Sequence, residues 1–390
     1  MQSLRKKDNS KSPLAFQRPV RTITPPIYKA STVLFDSYED LKKADAGEYE
    51  GVTYGTDRLP TQREFENSMA ALEGGYCTRA FQSGIAAISG TLLAFTKQGD
   101  HILLCDNIYG PTRRFCTQIL RKFGVQTDFV PPTVGQDVEK YIKAETRLIF
   151  LESPGTGTLE IQDIRAVTEV ARRRGLITIV DNTWATPLYM NPFALGADVS
   201  IHAISKYIAG YSDVLLGTAT ATEEHADTLQ TYYKTAETFA QSEDCYLALR
   251  GLQTLRVRLR HHEISALAIA KWLSEQDLVA DVLHPALPGH PQHALWLRDF
   301  TGSSGLFSFT LKAEPTKAQM SRFVDGLRHF GIGYSWGGFK SLITAGVPTR
   351  TLPSRYAGRT IIRLSIGMED TEDLINDLGD GLSRLESHTG

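Results

Sequence analysis

Between about residue 60 and residue 245 the chain alternates short apolar runs with amphipathic stretches of helical period, and few folds accommodate that alternation. The runs lie at 101–105, 148–151, 177–180 and 199–201, each the length of a buried strand. Segment 64–73 places Phe65, Met69 and Leu72 on one helical face and stops at Gly74-Gly75, and segment 163–174 reads as another amphipathic helix. The pattern predicts an α/β fold with a mostly parallel sheet covered by helices on both faces. In such sheets, ligands collect at the carboxyl ends of the strands.

Two of these strand ends carry chemistry. The run 177–180 is followed at once by Asp181-Asn-Thr-Trp184, and the run 199–201 leads to Ser205-Lys206-Tyr207. Taken singly, Asp-Asn is common turn chemistry and a Ser-Lys pair is usually a solvated surface element. Together they bring one acid and one amine to the same side of a parallel sheet. That pair suits pyridoxal 5′-phosphate, which needs a carboxylate for its ring nitrogen and an amine for its aldehyde.

Other segments fit the same cofactor. Ser83, Gly84 and Ile85 open a helix over 83–95, a terminus whose free amides suit a phosphate, although a plain N-cap reads the same way. Tyr109 follows the strand at 101–105 and is placed either to face an aromatic ring or to act structurally. Arg363 lies inside the apolar run 360–366, where a buried guanidinium must find an anion, either a substrate α-carboxylate or an acidic side chain, or else take an outward-facing edge position in water.

Length and charge bound the rest. At 390 residues two domains are expected, and a formal charge of −2 gives no reason to propose nucleic acid or an anionic membrane as partner. A small-molecule amino acid is the expected partner. Cys77, Cys105, Cys116 and Cys245 show neither disulfide nor metal spacing, no apolar run is long enough to span a bilayer, and a cytoplasmic setting follows. Residues 1–52 read as an extended arm, 53–246 as the large cofactor domain, and 247–390 as a smaller C-terminal α/β domain. The smaller part opens with a long helical stretch over 247–273, interrupted near Gly251, and holds strands near 305–311 and 360–366.

Ordered motifs run through the whole chain: Val52-Thr-Tyr-Gly55, Leu72-Glu-Gly-Gly75, Leu151-Glu-Ser-Pro-Gly155, Asp181-Asn-Thr-Trp184, Ser205-Lys-Tyr207, Ser212-Asp213, 284–289, 299–308, Tyr334-Ser-Trp-Gly-Gly338 and Arg363-Leu-Ser-Ile-Gly367. On these, the chain from about 20 to 385 resembles the Cys/Met-metabolism family of pyridoxal-phosphate enzymes of fold type I, and within it the cystathionine β-lyase branch. The resemblance implies that Lys206 carries the cofactor and moves protons, and that Asp181 keeps the ring nitrogen protonated. It further implies that Tyr109 stacks on the ring, that Ser83, Gly84, Ile85 and Ser205 bind phosphate, and that Tyr54 reaches the phosphate of an adjacent subunit. Arg363, supported by Ser335 and Trp336, would hold the substrate α-carboxylate, and the assembly would be a homotetramer of dimers with shared sites.

One stretch departs from the family pattern. An arginine is expected after Tyr54-Gly55, where this chain has Thr56, Asp57 and then Arg58, so Arg58 either takes over the phosphate contact or sits in a loop of different shape. Asp57 and Arg114 are candidates for reading the distal end of the substrate, with charges reversed relative to the family. The implied activity is therefore α,β-elimination from cystathionine. The alternative is a related lyase with a changed distal site, acting on cysteine or cystine, or a γ-lyase acting on a homoserine-type or canavanine-like amino acid. Presence of both Lys206 and Asp181 weighs against a binding protein without chemistry.

Overall fold

The computed structural model describes residues 21–386 and forms two sheets. The larger has seven strands: β1 (Cys77–Phe81), β2 (His101–Cys105), β3 (Gln126–Val130), β4 (Thr146–Glu152), β5 (Ile177–Asp181), β6 (Val199–His202) and β7 (Gly217–Ala221). Their spatial order is β1-β7-β6-β5-β4-β2-β3, and every neighbouring pair is parallel except those made by β7, which runs against both β1 and β6. The expected mostly parallel sheet is present, with one reversed strand near its edge.

Several helix starts can be traced to a local signal. Ser83 caps Gly84–Phe95 by accepting from the Ala86 amide at 3.1 Å, and Asp163 caps Ile164–Arg174 by accepting from the Ala166 amide at 3.2 Å. Helix Pro60–Glu73 begins with proline in its first turn and ends at Gly74, whose φ of 69° suits glycine. Strands β1, β2, β5, β6 and β7 are buried along their whole length. Their apolar side chains, such as Phe81, Leu103 and Ile179, each contribute roughly 2 kcal/mol of burial.

The second sheet holds β8 (Val279–Leu283), β9 (Leu306–Leu311), β10 (Gly331–Ile332), β11 (Leu342–Gly346) and β12 (Ile361–Ser365), in the order β10-β11-β12-β9-β8. Phe307, Phe309, Ile362 and Leu364 pack there against Leu374 and Leu378 of helix Thr371–Glu386. Cys105, at the end of β2, is a core residue as expected. Among the described residues, no helix is long and apolar enough to cross a membrane.

Two expectations need correction. The arm is not extended throughout, because Tyr38–Ala46 forms a helix whose N-terminal amide at Asp40 is capped by Ser37; residues 1–20 of that arm lie outside the described residues. The stretch around Gly251 is not interrupted: one helix, Ser242–Ser274, runs 33 residues and contains the 246/247 division. Its first half packs Cys245, Ala248 and Leu255 against the large sheet's elements, and its second half packs Ala266, Ile269 and Leu273 against the smaller sheet. Gly251 serves close approach, since a Cβ there would lie 2.2 Å from the Ile208 carbonyl oxygen and 2.6 Å from that of Ala209. Residues 208 and 209 lie two and three places after Lys206. Gly251→Val should therefore destabilise the chain by about 3 kcal/mol, read from urea unfolding, and disturb the Lys206 turn with it.

Candidate active site

A cavity of about 290 Å³ opens at the carboxyl ends of β4, β5 and β6 and is closed on one side by residues of the smaller sheet. The sheet order delivers its chemistry. Asp181 is the last residue of β5, Glu152 the last of β4, and the two are direct register partners. Lys206 follows β6 through a turn whose Ala203 amide donates to Thr183 Oγ1 at 2.9 Å. The same Thr183 donates to Asp181 Oδ1 from its hydroxyl at 2.5 Å and from its amide at 3.0 Å.

Opposite these strand ends, the smaller sheet supplies Arg363 from β12 and the turn holding Ser335 and Trp336. Lys206 Nζ donates to Ser335 Oγ at 2.6 Å and lies 5.3 Å from the centre of the Trp336 ring. Arg363 Nη2 donates to the Ser335 carbonyl at 3.2 Å. Ser335 adopts a φ of 79°, a left-handed conformation uncommon outside glycine, and so is a strained residue held between lysine and arginine. Among the described residues, no carboxylate lies within ion-pair distance of Arg363, which lines the cavity.

Burial governs the ionisation of the site. Asp181 is only 8% exposed and its pKa is raised by loss of water, an effect countered by the Thr183 hydrogen bonds and by the charges of His202 and Lys206. Glu152, equally buried, is pushed up to about 8, first by burial and then by the neighbouring Asp181. Lys206 is brought down to about 8 by burial and by the Arg363 charge, with Asp181 opposing. An amine at that value is partly neutral near physiological pH, the form that attacks an aldehyde or accepts a proton.

Ser83, Gly84, Ile85 and Ser205 all line the cavity. Gly84 begins its helix pressed against Ala203, where a Cβ would come within 2.7 Å of the alanine Cβ, so only glycine lets the helix terminus approach the Lys206 turn this closely. The Gly84 and Ile85 amides belong to the first helical turn and have no helical acceptor. Ser205 Oγ is engaged with the Leu216 backbone, donating to the carbonyl at 3.2 Å and accepting from the amide at 2.9 Å. An anion-binding helix terminus, an acid on one strand end and a depressed lysine on the next form a donor set that fits pyridoxal phosphate.

Tyr109 lines the cavity, and its backbone amide donates to Glu152 Oε2 at 2.6 Å. Its phenol is held above the usual range by burial and by the Glu152 and Asp181 charges. Glu152, which also accepts from the Thr156 hydroxyl, is the site residue that sequence reasoning missed; its position in Leu151-Glu-Ser-Pro-Gly155, at a strand end beside Asp181, was the available signal.

The loop before helix Pro60–Glu73 is not brought to this cavity. Tyr54 is half exposed outside it, Asp57 accepts from the amide and hydroxyl of Thr53 at 3.2 and 3.1 Å, and Arg58 pairs with the buried Glu66. Arg114 is exposed and outside the lining, whereas its neighbour Arg113 is buried against Asp106 at 2.7 Å.

Glu152 gives the site a pH signature. Because its folded pKa lies above the ordinary 4.5, the folded chain keeps a proton that the unfolded chain has released, so stability falls as pH rises from about 4.5 to about 8. Glu152→Gln removes that dependence. In urea unfolding of the cofactor-free chain, the variant should gain on the parent as pH climbs from about 5 to about 8.

Known proteins are similar to this chain along nearly their whole length. A Rhizobium johnstonii protein provisionally named a cystathionine beta-lyase is 44% identical over 93% of this chain and 91% of its own. The cystathionine beta-lyase of Escherichia coli is 40% identical over 92% of this chain and 93% of its own, and an L-alanine/L-glutamate racemase of Wolbachia pipientis is 40% identical over 93% of each. Residues 12–383 match the family described as Cys/Met metabolism PLP-dependent enzymes, and the chain belongs to that family.

Proposed function

We propose that this chain is a PLP-dependent carbon–sulfur lyase that converts L-cystathionine to homocysteine, pyruvate and ammonia by α,β-elimination. One observation carries the reading: a lysine amine lowered to about 8 shares a cavity with a buried carboxylate and an unpaired guanidinium, and is aimed by a 2.6 Å hydrogen bond to Ser335. When bound, pyridoxal phosphate supplies an electron sink for the pair left behind as Cα loses its proton.

The residues divide the remaining work. Ser83, Gly84, Ile85 and Ser205 would hold the phosphate, Asp181 would accept the hydrogen bond of the protonated ring nitrogen and keep it protonated, and Tyr109 would cover the ring. Arg363 binds the substrate α-carboxylate and thereby fixes which bond at Cα faces Lys206. Lys206 removes the Cα proton and returns a proton to the departing sulfur, which leaves as homocysteine. The remaining three-carbon fragment is hydrolysed to pyruvate and ammonia.

The charged groups lining the cavity are Glu152, Asp181, Lys206 and Arg363, and all of them serve the cofactor and the α-carbon. The distal amino-acid head of cystathionine is therefore read by neutral lining and by a second subunit, whose Tyr54 loop reaches the phosphate. This is supported by the exposure of Tyr54 outside its own chain's cavity. The assembly is a cytoplasmic homotetramer built from such dimers. Its alternative, a lyase of the same family for another sulfur amino acid or a γ-lyase, keeps the proximal machinery and differs at this distal end.

Mass-spectrometric analysis of the cofactor-loaded enzyme with L-cystathionine should give homocysteine and pyruvate. Release of 2-oxobutyrate, or racemised substrate with its sulfur retained, would overturn the assigned reaction. Lys206→Ala should remove turnover, and Arg363→Ala should raise KM by roughly 10- to 100-fold through loss of a charged hydrogen-bonded pair. Light scattering should find the active species well above the 43.2 kDa of one chain.

A further inference from the structure

The loop that carries Tyr109 is gripped from outside the cavity by the connection between β11 and β12. Three successive residues of that connection make the contacts. Arg350 Nη2 pairs with Glu160 Oε2 at 2.6 Å and donates to the Thr158 hydroxyl. The Thr351 amide donates to the two Asp106 carboxylate oxygens at 2.9 and 3.1 Å, and the Leu352 amide donates to Oδ2 at 2.9 Å.

Asp106 follows the last residue of β2 and is only 2% exposed. It also accepts from Arg113 Nη2 at 2.7 Å, and the other arm of that guanidinium donates to Thr351 Oγ1 at 2.6 Å. Tyr109 lies in the loop that Asp106 and Arg113 close. A second link joins this loop to the facing wall: Asn107 Nδ2 donates to the Glu160 carbonyl at 3.2 Å, and Asn107 Oδ1 accepts from Gln162 at 3.0 Å. Thr156, Gly157 and Leu159 of that wall line the cavity, and the connection itself ends in the strand that bears Arg363.

We propose that residues 350–352 form a positioning strap, with Asp106 as its anchor, that sets Tyr109 and the 156–159 wall relative to Arg363. The proposal rests on the reading of Tyr109 as the residue facing the cofactor ring. A buried carboxylate that accepts from one guanidinium and two backbone amides is costly to leave unpaired, so release of the strap and movement of the Tyr109 loop belong to one event. Asp106 touches neither substrate nor cofactor and acts through the loop. The arrangement also gives Arg113 its role, as the cross-brace of the strap, and leaves distal recognition to other groups.

The test compares cofactor-loaded parent, Asp106→Asn and Thr351→Val chains; the milder variant removes only the hydroxyl partner of Arg113. Expected for Asp106→Asn are a shifted visible absorption of the bound cofactor, a fall in kcat/KM of about tenfold, and amide exchange about tenfold faster across 106–113 and 156–160 while 177–181 keeps its protection. Thr351→Val should move all three in the same direction by less. A lowered melting temperature with absorption, kcat, KM and exchange in both segments within about twofold of the parent would overturn the proposal, because a strap that merely joins the two sheets' elements does that. A parent that leaves cystathionine uncleaved would overturn the assigned reaction alone, since absorption and exchange still decide the strap.

Discussion

A carboxylate held out of water at the end of a parallel strand must be compensated by what surrounds it, and Asp181 imposes that condition on the rest of the site. Thr183 donates two hydrogen bonds to it from the next turn, and the same hydroxyl receives the Ala203 amide, so the residue that stabilises the acid also fixes the start of the Lys206 turn. Lys206 and Arg363 bring positive charge from opposite sheets. Among the described residues, neither cation is neutralised by a direct ion pair. Each is left with binding capacity, which distinguishes this cluster from a structural salt-bridge network.

Glu152 sharpens the condition. Two carboxylates in register on adjacent buried strands cannot both ionise readily, and the one with less positive charge beside it takes the proton. Asp181 has Thr183 and the nearby His202 and Lys206 charges on its side, so Glu152 is the group driven upward. Its neutral form still accepts from the Tyr109 amide, which makes it a fixed point for the loop without adding charge beside the acid that matters.

Much of this was readable in the sequence where one residue type at a strand end admits few explanations. The runs that became β2, β5 and β6 were legible because they are continuous and apolar, and with them came Asp181 and Lys206. Strand β1 was hidden by Arg79, which is tolerated there because Glu66 lies 3.6 Å away and the Thr78 carbonyl and Gln230 accept from it. Strand β7 was hidden by its composition of glycine, threonine and alanine, which suits it to a crowded position: a Cβ on Gly217 would lie 2.4 Å from the Ser83 carbonyl oxygen. Glu152 was invisible as a site residue because its meaning lies in strand register rather than in any local motif. Gly251 misled for the related reason that a helical glycine reads as a breaker until the backbone it admits is known.

The loop around Asp57 and Arg58 separates what a motif can say from what only packing can. Arg58 adopts a φ of 55° and turns to the buried Glu66, whose carboxyl is raised by burial and would be harder to accommodate without that partner. Asp57 folds back on Thr53. Both charges are thus used to shape the loop, and what it presents outward is the exposed ring of Tyr54. Lys206, Asp181 and Arg363 line one cavity of a single chain, and Asp57, Arg58 and Arg114 lie outside its lining. A lyase and a racemase are each 40% identical to this chain, so overall identity leaves the reaction to be decided by the groups at the site.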